Sequence, residues 1–294
     1  MKYALCAVAL AAAPLALPAY AQEPCPPAGY DRARLEALKA QDWAVPNARE
    51  RNRLARALTA CVASPDTALR DGFMYEALLH WLRERELSVE TMRALADDLD
   101  ARLGAEDPNG FERPFAALIL SEVVRADRIE PYLATDARQR ILDDSIAYLS
   151  GVRDYRGFDE AEGWRHGVAH GADLMLQLGL NPAFGRPELE RIRDAVASQL
   201  APEGHFYIYG EDGRLARAII YMAQRGVFSE AEWTAWFAQL PVADEASLST
   251  QAGLARRHNM TEFLQTVWLN ARLSESTADD VLLPGAEAVL RATP

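Results

Sequence analysis

The sequence predicts an all-α protein of stacked antiparallel helix pairs, either an open, HEAT-like α-solenoid or a closed α/α toroid. Leucine and alanine recur at three- and four-residue spacing along most of the chain. The segments that carry this pattern are separated by short loops, which makes neighbouring helices antiparallel. No strand–helix–strand alternation and no glycine-rich phosphate loop appears. The pattern has no clean period of about 34 or 40 residues, so any repeats have diverged. No Gly/Ser/Pro-rich linker divides the chain, and a single helical-repeat domain over residues 22–294 is expected.

The elements follow in order. Residues 32–41 and 46–62 carry the helical spacing of leucine and alanine. Ser64-Pro65 reads as an N-cap with proline in the first turn, opening a helix to about residue 85. Ser88 caps the next helix and Gly104 ends it. Helices are expected over residues 113–125, 136–149, 163–180 and 187–200. Ser229-Glu230-Ala231-Glu232 is a capping box for a helix to about residue 240. Residues 248–273 and a short piece after Pro284 complete the set. The run His205-Phe206-Tyr207-Ile208-Tyr209, between two glycines, fits a short strand or an ordered loop.

The first residues read as a leader. Lys2, a small-apolar run over residues 3–17 and Ala19-Tyr20-Ala21 match a secretory signal peptide cleaved before Gln22. A periplasmic or secreted protein is expected, with no membrane span after cleavage. The two cysteines left after cleavage, Cys25 and Cys61, have only each other as an intramolecular partner in an oxidising compartment. The net charge of −12, with no basic run, argues against a nucleic acid partner.

The stretch from Gly163 to Leu178 carries the chemistry. Wound as one helix, it puts His166, His170, Asp173 and Gln177 within about 60° of one another. Gly163, Gly167 and Gly171 form a second stripe beside them, where another group can approach the backbone closely. Two histidines four apart, with an aspartate three further on, suit zinc. The same stripe also suits a metal-free polar pocket, or plain hydrogen bonding between helices. No glutamate follows the first histidine, so the His-Glu-x-x-His protease motif is absent.

Glu211, Asp212 and Arg214 follow the aromatic run that ends at Tyr209. They fit a loop closing over a pocket, and equally an acidic cap on the helix that follows. Asp71 and Tyr75 share a helical face, as do Glu76 and His80, with ordinary intrahelical pairing as the alternative. His258 sits beside Arg256 and Arg257 in what reads as a solvated basic face. Asn259-Met260-Thr261 fits a glycosylation sequon. No Gly-x-Ser-x-Gly elbow, Walker loop or dinucleotide fingerprint is present.

Several segments together resemble the bacterial family known as domain of unknown function 2785. They are Leu69-Arg70-Asp71 with Tyr75, Asp154-Tyr155-Arg156-Gly157-Phe158, the segment Gly163-Trp164-x-His166-x-x-Ala169-His170-Gly171-Ala172-Asp173-Leu174, and Glu211-Asp212-x-Arg214-Leu215-Ala216. The resemblance covers roughly residues 65–240. It implies an all-helical protein and marks these residues, Trp164 included, without assigning chemistry. A shorter stretch, Gly167-Val168-Ala169-His170-Gly171, is similar to the Gly-x-Ala-His-Gly element of lanthionine cyclases, which are α/α toroids. Those enzymes hold zinc partly through a Cys-His-Gly element, and this chain has no cysteine near a histidine. Three readings of function stay open. The first is a binder of a polar small molecule, glycan or peptide in a groove lined by the His166 segment. The second is a metal-dependent or carboxylate-driven hydrolase at the same place. The third is a purely structural or interaction role.

Overall fold

The computed structural model describes residues 24–293, so the leader and its cleavage box lie outside the described residues. Twelve α-helices carry the described chain, and its one sheet is a two-stranded ribbon. The protein is all-α. α1 (Arg32–Lys39) and α2 (Ala48–Leu58) begin on Asp31 and Asn47, whose side chains accept first-turn N–H groups. Residues 59–61 tighten into a 3₁₀ turn, and Cys61 within it is joined to Cys25. A bond closing a loop of this length stabilises by about 3–4 kcal/mol in the chain-entropy picture.

The next element departs from the sequence reading. Ser64 does not cap it: its Oγ accepts from Asp66 N, and Asp66 Oδ1 accepts from Ala68 N at 2.9 Å. The helix therefore starts two residues later, wound as a π-helix over Ala68–Tyr75 before becoming α3 (Glu76–Arg83). Glu76 is taken by Lys39 at 2.7 Å, across helices, rather than by His80. α4 (Val89–Leu103) runs from Ser88, which accepts from Thr91 N, to Gly104, as its end signals predict. α5 (Glu112–Ile129), α6 (Thr135–Gly151), α8 (Arg186–Ala197), α10 (Glu230–Phe237), α11 (Gln251–Leu273) and α12 (Leu283–Ala292) match their expected segments to within a few residues. The Ser229–Glu232 capping box forms with both of its hydrogen bonds.

α7 (Gly167–Gly179) and α9 (Glu211–Ala223) complete the set. α5, α7, α9 and α11 lie side by side in chain order, and α4, α6 and α8 form a second row against them. One hydrophobic core runs through both rows, from Tyr30 to Ala286. α7 is the most enclosed helix: all of its residues except Asp173 and Gln177 are buried. Gly167 and Gly171 face α6, where a Cβ at Gly171 would press Leu149 and Tyr148. The close approach along the glycine stripe is thus made by a neighbouring helix.

Candidate functional site

α7 does not extend back to Gly163. Strand β1 (Phe158–Asp159) pairs antiparallel with β2 (Gly163–Trp164). Beyond the ribbon, Arg165 N donates to Gly157 O and His166 N to Arg156 O. Gly163 (φ 75°) and His166 (φ 56°) are both left-handed, which no helix tolerates. The single helix expected over residues 163–180 is therefore a ribbon, a left-handed N-cap and a shorter helix. His166 is not on the helical face with His170, Asp173 and Gln177; it stands at the head of it.

That break gathers an aromatic and carboxylate cluster. Trp164 stacks on His166, with centroids 4.6 Å apart and planes 19° apart. Phe158 lies at 5.0 Å from Trp164, and Tyr209 meets it edge-on at 5.6 Å. His170, one turn into α7, places its ring 5.6 Å from that of His166 and edge-on to Phe115. His170 Nδ1 donates to Pro114 O at 3.1 Å, which fixes the tautomer and leaves Nε2 as the acceptor. Glu211 is buried at the start of α9, where its Oε2 accepts from Tyr209 N at 3.0 Å. Its Oε1 lies 3.7 Å from His166 Nε2, too far for a hydrogen bond. His166 Nε2 is buried and has no hydrogen-bond partner among the described residues.

The electrostatics follow from that burial. Desolvation, reinforced by the Arg214 charge, holds the His166 imidazolium down to about 4. Burial, then the charges of His166 and Arg214, holds His170 at about 3. Burial also raises the Glu211 carboxyl. Both histidines are therefore neutral at pH 7, beside a carboxyl group whose charge is disfavoured.

A second group lies along α7. Asp173 pairs with Arg214 of α9, and burial, outweighing that cation, raises the Asp173 carboxyl. Tyr75 lies in the field of Glu122, Asp173 and Arg214, and burial raises its phenol. Gln177, one turn on, accepts from Arg128 at 3.3 Å. Asp71 sits behind the ribbon, paired with Arg70 at 3.0 Å. Asp212 is partly exposed in the first turn of α9. The structure thus joins Trp164, His166, His170, Tyr209 and Glu211 in one cluster, joins Asp173, Arg214 and Tyr75 in another, and leaves Asp71, Asp212 and Gln177 at the margins. No three His, Cys, Asp or Glu side chains among the described residues are grouped to hold a metal ion. His166, His170 and Asp173 are spread between a cap, a backbone carbonyl and an arginine.

Residues 205–209 form an ordered loop rather than a strand. Its support comes from residues that the sequence hid. Asn259, fully buried on α11, receives Tyr207 N on Oδ1 and donates from Nδ2 to His205 O. His258 Nε2 lies 3.1 Å from Tyr207 O, and Tyr207 OH donates to Gln199 O at 2.6 Å. The sequon reading of Asn259 and the solvated reading of His258 both fail here, because each side chain is bound to the loop. At the tip, Tyr209 lies against Gly157 so closely that a Cβ there would run into its ring.

A family model described as "Protein of unknown function (DUF2785)" matches residues 99–269. The match takes in the ribbon, α7, α9 and Asn259, and leaves out Leu69-Arg70-Asp71 and Tyr75. No curated protein and no solved structure matches the chain, so the likeness to lanthionine cyclases rests on five residues alone. The chain belongs to the family that this model describes.

Proposed function

We propose that this member of the family is an exported helical-repeat protein that holds a polar small molecule, glycan or peptide at the Trp164–His166–Tyr209–Glu211 cluster. The observation that carries the reading is His166 Nε2, buried without a partner beside a buried carboxyl group. An unmatched polar atom of this kind costs about 1–3 kcal/mol, and a bound hydroxyl or amide that reaches both Nε2 and Oε1 removes the cost. Phe158 and Tyr209, 45% and 39% exposed, supply a stacking surface at the edge of the cluster. The two side-by-side rows of helices support a repeat architecture, and the Cys25–Cys61 bond supports an oxidising compartment.

The test is a thermal-shift screen of the mature protein against neutral and charged oligosaccharides, short peptides and zinc, each with and without EDTA. A metal-free binder gives a shift with an organic ligand that EDTA leaves in place and Glu211→Gln abolishes. Shifts that appear only with zinc transfer the site to the metal reading. Export is checked by the intact mass of secreted protein, which should begin at Gln22. One observation favours a hydrolase at the same place: Glu211 has its carboxyl raised toward neutrality beside a neutral imidazole, the pairing that acid–base catalysis uses. Product release from any ligand found by the screen, lost in Glu211→Gln, would establish that second reading.

A further inference from the structure

The three residues that lead into α7 serve two sides of the backbone. Trp164 and His166 stack together on one side. Arg165 points the other way, its guanidinium 4.2 Å from the Phe111 ring centroid and its Nε donating to Asn109 O at 2.8 Å. There it lines a small open cleft, shared with Asp107, Arg113, Arg153, Asp154 and Gly167. The cleft is distinct from the aromatic cluster, none of whose residues borders it.

The charges around this cleft do not cancel. Asp107 is committed to the backbone, accepting from Gly110 N, Phe111 N and Arg113 N. Asp154 is held by Arg156. Three guanidinium groups remain, each with donors to spare. Arg113 uses Nε on Leu103 O at 2.7 Å, and neither of its terminal nitrogens has an acceptor among the described residues. Arg153 gives Nη1 to the carbonyls of Ser150 and Val152 and keeps Nη2. Arg165 is only 5% exposed; it gives Nη2 to Glu162 at 2.9 Å and keeps Nη1. Arg165 is already paired with Glu162 and adds only its spare donor. Arg113 and Arg153 bond only to backbone carbonyls and have no carboxylate partner among the described residues, so they offer charge-assisted donors to an anion. α7 begins at the same wall without a side-chain cap, so its first-turn amides add to the positive potential.

We propose that this cleft is an oxyanion site, taking a phosphate, sulfate or carboxylate group between Arg113, Arg153 and Arg165. Arginine forks suit oxygen pairs on tetrahedral and planar anions alike. The anion can be free, or it can be the charged end of a larger molecule. Calorimetric titration of inorganic phosphate, sulfate and acetate, at ionic strength fixed with chloride, tests the site on the mature protein. Saturable binding is expected in the parent, weakened roughly tenfold or more in Arg113→Gln/Arg153→Gln, in line with loss of charge-assisted hydrogen bonds. Arg257→Gln, at an exposed position of α11, should bind like the parent. Arg153 is exposed, so Arg153→Gln alone is the fallback should the double variant lose native circular dichroism, with several-fold weakening expected. Phosphate and sulfate bound in preference to acetate would mark a tetrahedral site, and equal binding a carboxylate site. No saturable binding above the chloride control, or unchanged affinity in the arginine variants, overturns the proposal.

Discussion

Asp127 and Glu211 are both buried carboxylates, 1% and 3% exposed, and the chain treats them in opposite ways. Asp127, near the end of α5, accepts from Tyr132 N at 2.9 Å and Leu133 N at 2.8 Å, and Arg138 grips it with two nitrogens. Burial alone would raise its carboxyl, but Arg138 and the two amides outweigh it and hold the group below the usual carboxylate range. Glu211 has far less support and no cation on it: Tyr209 N donates to one oxygen, and the other faces an imidazole nitrogen out of hydrogen-bond reach. Its carboxyl is raised. The difference teaches where to look for function. A buried charge that is fully matched stabilises one geometry, whereas an unmatched one calls for an explanation.

The comparison is tested most severely by Asp127→Ala. It strands Arg138 and two buried amides, and should lower unfolding free energy by about 3–5 kcal/mol in urea titrations. A loss under about 1 kcal/mol would remove the distinction between the two carboxylates. His170→Ala should cost about 1–3 kcal/mol, because Pro114 O loses its donor and Phe115 its edge contact. The same histidines set an acid limit. Their folded-state values, about 4 and 3, lie below the ordinary 6.5. Their contribution is therefore complete above about pH 6.5 and is lost as pH falls through 4 and 3. Asp127, held low, adds its own loss as pH falls through the ordinary carboxylate value and below it. Glu211 and Asp173, whose carboxyls burial raises, act in the opposite sense, so the histidine contribution is read as a difference: melting temperature measured from pH 7 to pH 3 should decline less steeply in His166→Gln than in the parent. Identical profiles for parent and His166→Gln would contradict the neutral buried pair.

Gly157→Ala is a smaller change, about 1–3 kcal/mol, since the Tyr209 ring must swing away from Trp164. Near-ultraviolet circular dichroism should report the lost aromatic contact while helix content holds. Glu211→Gln should be smallest of all in stability, within about 0.5 kcal/mol at pH 7. The amide oxygen still accepts from Tyr209 N, and a charge that the site disfavours is gone. A marked destabilisation of Glu211→Gln in chemical denaturation would make Glu211 structural, like Asp127.

The helical framework was legible because its signals are local. Ser88 and Gly104 bound α4, and the Ser229–Glu232 box opens α10, through hydrogen bonds spanning three or four residues. The disulfide was legible by elimination. The head of the site was not. Residues 163–166 carry a helix-like pattern, yet two left-handed residues and backbone bonds to Gly157 and Arg156 take them out of the helix. A glycine-rich stretch satisfies several periods at once, so spacing alone could not choose between them. Asp66 displaced Ser64 as a cap for a similarly short-range reason: its carboxylate reaches the free amide of Ala68. Asn259 offered no signal, since its two partners lie more than fifty residues earlier in the chain.

That separation has a consequence for timing. Trp164 and His166 can find each other as soon as the ribbon closes, but the backbone of the loop that carries Tyr209 gains its Asn259 and His258 bonds only when α11 reaches it. Long closures of this kind are made late, after local helices have formed. The aromatic loop of the candidate site therefore completes its support later than the ribbon does. A chain shortened before α11 should keep much of its earlier helix and still lack the Asn259 support of residues 205–207.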